Sequence, residues 1–158
     1  MIDNTDQYSI SCWVRIVTAG FGGIYCQNTI GWTKWGIEFT IQGFNSTDGD
    51  KICFSHCRSD AIADNNVAKV PYIADNIFHH YVATRSGTAI KLYKDGVLAD
   101  SKTLAHNTIT NYANGYIGQY INGNNNTPQG VKDLENLRIF NRCLSPEEVL
   151  KLYQYEVR

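Results

Sequence analysis

The sequence predicts an all-β domain, a sandwich or jelly roll of two antiparallel sheets with one short C-terminal helix. Three observations carry that expectation. Short alternating segments recur along the chain between Gly, Asn and Asp clusters, the composition favours strands and turns with ten Tyr, three Trp and thirteen Gly, and one segment dictates a hairpin outright. At 158 residues the chain is long enough for one domain with a proper core, so residues 1–158 are taken as a single unit.

From Tyr8 to Val17, Ile10, Cys12, Val14 and Ile16 face one way while Ser11, Trp13 and Arg15 face the other. Strand-like runs follow at about residues 22–27, 35–42, 51–56 and 67–72, separated by turn clusters such as Asn45-Ser46-Thr47-Asp48-Gly49-Asp50. Residues 78–98 then read as strand, strand and turn. Phe78, His80, Val82 and Thr84 share one face, and His79, Tyr81, Ala83 and Arg85 the other. A second strand spans Ala89 to Lys94, and Asp95-Gly96 supplies the two positive φ angles of a type I′ turn. Val97 to Lys102 should therefore fold back to complete a meander. Beyond it come a short strand near Gly115 to Gln119, a polar loop from Asn122 to Gly130 and a strand from about Lys132 to Phe140. The helix has four start signals: Ser145 as cap, Pro146 in the first turn, Glu148 to complete a capping box, and Leu144 to staple onto Val149. Val149, Leu150, Leu152 and Tyr153 give it an apolar stripe, expected to pack on a sheet edge or across one end.

A net charge of −1 with scattered Lys and Arg lacks the footprint of a nucleic-acid or anionic-membrane binder, so no nucleic-acid partner and no membrane insertion are expected. No apolar run approaches membrane-spanning length, and Met1 opens no signal-like segment. Five cysteines leave at least one unpaired. They read as mostly buried thiols, which suits a reducing compartment or a virion made in one, or a fragment of a secreted protein.

Three segments resemble one family. Tyr8-Ser9-Ile10-Ser11-Cys12-Trp13-Val14 is similar to a Phe-Thr-Ile-Ser-Ala-Trp-Val strand of the laminin-G-like branch of the concanavalin A-like lectin/glucanase superfamily. Residues 78–84 with Lys91-Leu92-Tyr93-Lys94-Asp95-Gly96 resemble its Trp-His-His-Val-Ala-Val-Thr and Leu-Tyr-Val-Asp-Gly hairpin, and residues 134–145 resemble its Ile-Asp-Glu-Val-Arg-Ile-Tyr-Asn-Arg-Ala-Leu-Ser ending. The likeness spans roughly residues 6 to 154 and implies the two-sheet jelly roll. Phe78 stands where the family has Trp, Glu135-Asn136 replaces Asp-Glu, and the family's first strand or two have no counterpart. That departure predicts a domain belonging to a longer protein, or one whose open sheet edge recruits a second copy or a parent assembly.

Catalytic and metal readings are weak. Adjacent His79 and His80 point to opposite faces of a strand and cannot chelate one ion. Cys53 and Cys57 share a face about 13 Å apart while His56 faces away, short of a zinc set. Asp133 and Glu135 have the spacing of a glycosidase pair, but the family's catalytic Glu-x-Asp-x-Glu run is missing, so no enzyme is expected. Sugar recognition needs aromatic faces with amides or carboxylates beside them. Trp32 and Lys34 in a turn, with Tyr112, Tyr116 and Tyr120 around the loop of Asn122 and Asn124, are the candidate residues. The resemblance also allows a structural Ca²⁺, for which Asp48 and Asp50 are the nearest pair, although turn chemistry explains them equally. The expected function is a non-catalytic glycan- or glycoprotein-binding domain at a cell surface, outside the cell or on a virion. The competing reading is an adhesion or structural module that binds protein, and a glycoside hydrolase comes third.

Overall fold

The computed structural model describes residues 2, 6–18, 20–28, 36–41, 50–57, 67–104, 114–122, 125–127 and 133–157, with the backbone alone at 28, 57, 120–122 and 125–127. In chain order the strands are β1 (Gln7–Arg15), β2 (Gly22–Asn28), β3 (Gly36–Ile41), β4 (Lys51–Cys57), β5 (Val67–Pro71) and β6 (Phe78–Ser86). There follow β7 (Ala89–Lys94), β8 (Val97–Thr103), β9 (Tyr116–Ile117), β10 (Tyr120–Asn122), β11 (Asn125–Thr127) and β12 (Asp133–Phe140), then helix α1 (Pro146–Glu156). Two five-stranded antiparallel sheets result, ordered β12-β1-β6-β7-β8 and β5-β4-β3-β2-β9. This is the sandwich that the alternation predicts.

Period two builds the core between them. Ile10, Cys12 and Val14 of β1 meet Ile37, Phe39 and Ile41 of β3 in one buried cluster. Tyr8 stands edge-on to Phe54 of β4 across the gap, ring centres 6.3 Å apart. Cys12, Cys26 and Cys53 are buried and Cys143 is half-buried, in line with the reading of mostly buried cysteines. Burial pushes the Cys12 thiol up, away from the reactive thiolate. Asp100 on edge strand β8 accepts the β5 amide of Lys69 at 2.9 Å, so one sheet satisfies an edge donor of the other.

The meander forms around the predicted turn, Lys94↔Val97 closing it, with a one-residue bulge where Tyr93↔Leu98 gives way to Leu92↔Asp100. Asp95 and Gly96 adopt φ of 51° and 79°, the left-handed pair of a type I′ turn. Two expectations need correction. The segment read as a polar loop from Asn122 contains a ribbon, β10 pairing with β11 from Tyr120↔Thr127 to Asn122↔Asn125. Its polar residues conceal a strand because no side dictates an apolar alternation. The helix, expected on a sheet edge or end, lies instead on the outer face of the first sheet, where Val82 and Tyr93 form a second buried cluster with Leu144 and Val149. Its stripe needs an apolar partner, and the outward residues of β6 and β7 supply one.

Candidate functional site

The capping box forms as the sequence predicts: Glu148 N donates to Ser145 Oγ and Ser145 N to Glu148 Oε2. The cap docks because Ser9 on β1 donates to the Arg142 carbonyl and accepts from Leu144 N, both at 2.9 Å. So anchored, α1 runs over β1 and β6 and delivers its last turn above Trp13.

A β-bulge prepares the floor there. The β1–β12 register runs Ser11↔Arg138 and then Trp13↔Glu135, one residue extra on β12, and Asn136 takes φ of 51° at the bulge. Asn tolerates that left-handed conformation. Residues three apart on a regular strand face opposite ways, so the bulge is what brings both Glu135 and Arg138 to the helix side. Arg138 forms an ion pair with Glu156 of α1, whose Oε2 accepts the Trp13 indole N–H at 2.6 Å. Tyr153, one turn earlier, stacks on Trp13 with ring centres 5.8 Å apart.

The adjacent histidines separate as alternation requires. His80 lies fully buried under α1, its Nε2 2.8 Å from Ser11 Oγ and its ring 5.1 Å from that of Trp13. Burial pushes its pKa down to about 4, Asp95 opposing and Arg138 adding to the effect. Its Nδ1 has no hydrogen-bond partner. His79 is held between two carboxylates, Nδ1 at 2.7 Å from Asp95 and Nε2 at 3.1 Å from Asp75. Asp95 also accepts the His80 backbone N–H at 2.9 Å. One turn residue thus fixes the hairpin and both histidines.

Between the end of α1 and this sheet face opens a cleft of about 380 Å³. Trp13, Phe78 and Tyr153 wall it with rings, and its polar lining comes from His79, Asp95, Glu135 and Glu156. None of these was a binding candidate in the sequence. Trp13 and the histidines read there as scaffold, and Glu156 carries no motif; a strand Trp whose N–H needs a buried acceptor was the available signal.

Of the predicted residues, Trp32, Lys34, Tyr112, Asn124 and Asp48 lie outside the described residues. Tyr116 is half-buried on β9 opposite Cys26, while Tyr120 and Asn122 belong to β10, which packs along β2. Asp50 is exposed with φ of 63°, and its carbonyl accepts Tyr72 N at 2.9 Å. Cys53 and His56 do face apart: His56 is on the core side, with Tyr8 Oη 2.7 Å from Nδ1 and Arg85 Nη1 2.7 Å from Nε2. Asp133 is engaged by Arg15 through Nε and Nη2 at 2.9 and 2.8 Å. Among the described residues no group of three or more His, Cys, Asp or Glu could hold a metal ion.

The family model of the concanavalin A-like lectin/glucanases superfamily, laminin-G type, matches residues 1–150. The chain belongs to that superfamily. No curated protein matches it at a significant level. Among solved structures it is similar to the botulinum neurotoxin type G receptor binding domain, with a TM-score of 0.69 and 18% identity over 96% of this chain and 38% of that one. It is similar too to a structure described as showing that cell entry of botulinum neurotoxin type C depends on interaction with two ganglioside molecules (TM-score 0.66, 17% identity, 95% of this chain and 36% of that one). A third is the binding domain of botulinum neurotoxin DC in complex with rat synaptotagmin II (TM-score 0.65, 16% identity, 95% and 36%). The chain spans under two-fifths of those structures' length, and at such identities the likeness establishes the jelly-roll sandwich.

Proposed function

We propose that this domain is a non-catalytic recognition module that binds a glycan along the β9 border of its second sheet. Placement carries the reading. β9 pairs with β2 at Tyr25 and Cys26, and β10 packs along β2, so Tyr116, Tyr120 and Asn122 lie in strands along one border of the second sheet. Trp32 and Lys34 follow β2 in sequence and lie outside the described residues. Aromatics beside polar groups along one border are what sugar C–H faces and hydroxyls require.

A recognition role is in keeping with the superfamily, with the gangliosides of the type C toxin and with a surface, extracellular or virion setting. Catalysis has less support, because Oδ2 of Asp133, one of the spaced carboxylate pair, accepts from both Nε and Nη2 of Arg15. Protein binding is the second reading, favoured by the type DC domain's complex with synaptotagmin II. Glycan-array binding decides between them. The expected result is selective signal that falls roughly threefold to tenfold in Trp32→Ala and Tyr116→Ala, the size of a lost aromatic contact. A flat array with tight binding to a protein ligand overturns the glycan reading, and sugar release from diverse polysaccharides overturns the non-catalytic one.

A further inference from the structure

We propose that the cleft between α1 and the outer face of the first sheet binds an uncharged aromatic ring of the phenol or indole kind. It lies on the other sheet from the glycan border and does not rest on that reading. Its volume of about 380 Å³ falls in the range of small-ligand sites, about 300 to 1,000 Å³. A dry apolar cavity of about 150 Å³ already takes a benzene ring, so a substituted or two-ring aromatic fits here.

The walls favour a ring. Trp13, Phe78 and Tyr153 line the cleft, and aromatic groups prefer to meet one another offset or edge to face. Trp13 and Tyr153 are stacked within 23° of parallel, so this wall is set before a ligand arrives. Ile77 and Val157 also line the cleft while 58% and 52% exposed, which leaves apolar surface in water that an occupant would cover.

The polar lining asks for no charge, because its groups are already engaged within the protein. Trp13 donates its N–H to Glu156, which also pairs with Arg138, and Asp95 holds His79 Nδ1 and accepts the His80 backbone N–H. Glu135 is engaged as well. A ligand that leaves these bonds in place binds by burying apolar surface. A carboxylate still has about four lone-pair sites, and the bonds named here take two each on Asp95 and Glu156. One O–H or N–H at the ring's edge thus finds an acceptor, as in a phenol or an indole.

The test is titration of the ¹⁵N-labelled protein with p-cresol, with its saturated counterpart 4-methylcyclohexanol and with methyl α-glucoside, following the Trp13 indole resonance. p-Cresol should give saturable shifts and the glucoside none. The saturated alcohol, alike in shape and hydroxyl, should bind roughly threefold to tenfold more weakly, the worth of an aromatic contact beyond its area. Ile77→Ser, at an exposed position, and Phe78→Leu should each weaken p-cresol by a similar factor, roughly threefold to tenfold. A capped Gly-Tyr-Gly peptide that binds about tenfold tighter than p-cresol assigns the ring to a protein partner, and equal or weaker binding assigns it to a free aromatic molecule. No saturable shift with p-cresol, equal affinity for the saturated alcohol, or binding of the glucoside overturns the proposal. So does an unaltered Kd in Ile77→Ser and Phe78→Leu variants that melt like the parent.

Discussion

His80 makes the fold acid-sensitive by an amount that can be worked out. It is neutral, fully buried and shielded by Trp13 and Tyr153, and its pKa falls from the ordinary 6.5 to about 4. The unfolded chain takes up a proton on this residue below about 6.5, whereas the native protein refuses it until about 4. Stability is therefore full above the upper value, drains away as the pH falls through the interval, and levels off below it. At about 1.36 kcal/mol per pH unit the loss comes to roughly 3 kcal/mol, against roughly 5–15 kcal/mol for a whole domain. Asp95 from the β7–β8 turn, Arg138 from β12 and Glu156 from α1 are the charged groups around this face, and all remain in a His80→Gln variant. Urea unfolding of both proteins, from about pH 7.5 down to about pH 4, isolates the histidine because other carboxylates titrate alike in each. The variant should start less stable but lose roughly 3 kcal/mol less on acidification. Parallel stability curves, within about 0.5 kcal/mol, would refute the reasoning.

Other substitutions probe the helix and its seat. In Gly96→Ala the new Cβ would meet Leu150 Cδ1 at 3.0 Å and Tyr153 Cδ1 at 3.2 Å, at a φ of 79°, so a loss of roughly 1–3 kcal/mol is expected by thermal melting. Ser145→Ala removes the oxygen that accepts Glu148 N, and should cost about 1 kcal/mol in the same assay. Trp13→Phe deprives Glu156 Oε2 of its indole donor and should cost roughly 1–3 kcal/mol, part of it recovered when Glu156→Gln is added.

What could be read from residues alone follows the physics of each element. Period-two alternation in β1 and β6, the Asp95-Gly96 turn and the Ser145 capping box are local devices, and all stand where the pattern puts them. The β10–β11 ribbon was missed because Asn122, Asn125 and Asn126 give no apolar face to count. The cleft escaped for another reason. Trp13 and Glu156 lie at opposite ends of the chain, and the bulge at Asn136 that turns Glu135 toward them is a one-residue shift that alternation cannot foresee. His79 and His80 stand on opposite faces as alternation predicts, yet their separate carboxylate and aromatic surroundings depend on tertiary placement.

The position of β1 between β6 and β12 also bears on how the chain assembles. Ser9 pairs with Thr84 on one side and with Phe140 on the other, so the middle of the first sheet stays open on one flank until β12, far along the chain, is present. Closing so long a loop is slow, and until it closes the hydrophobic side of α1 has nowhere to dock. The β6–β7–β8 meander, built from near neighbours, should acquire hydrogen-exchange protection first in refolding. The β1 amides bonded to β12 should gain it later, in the same kinetic phase as α1, so that closure of the central strand and coverage of Trp13 and His80 form one late folding event.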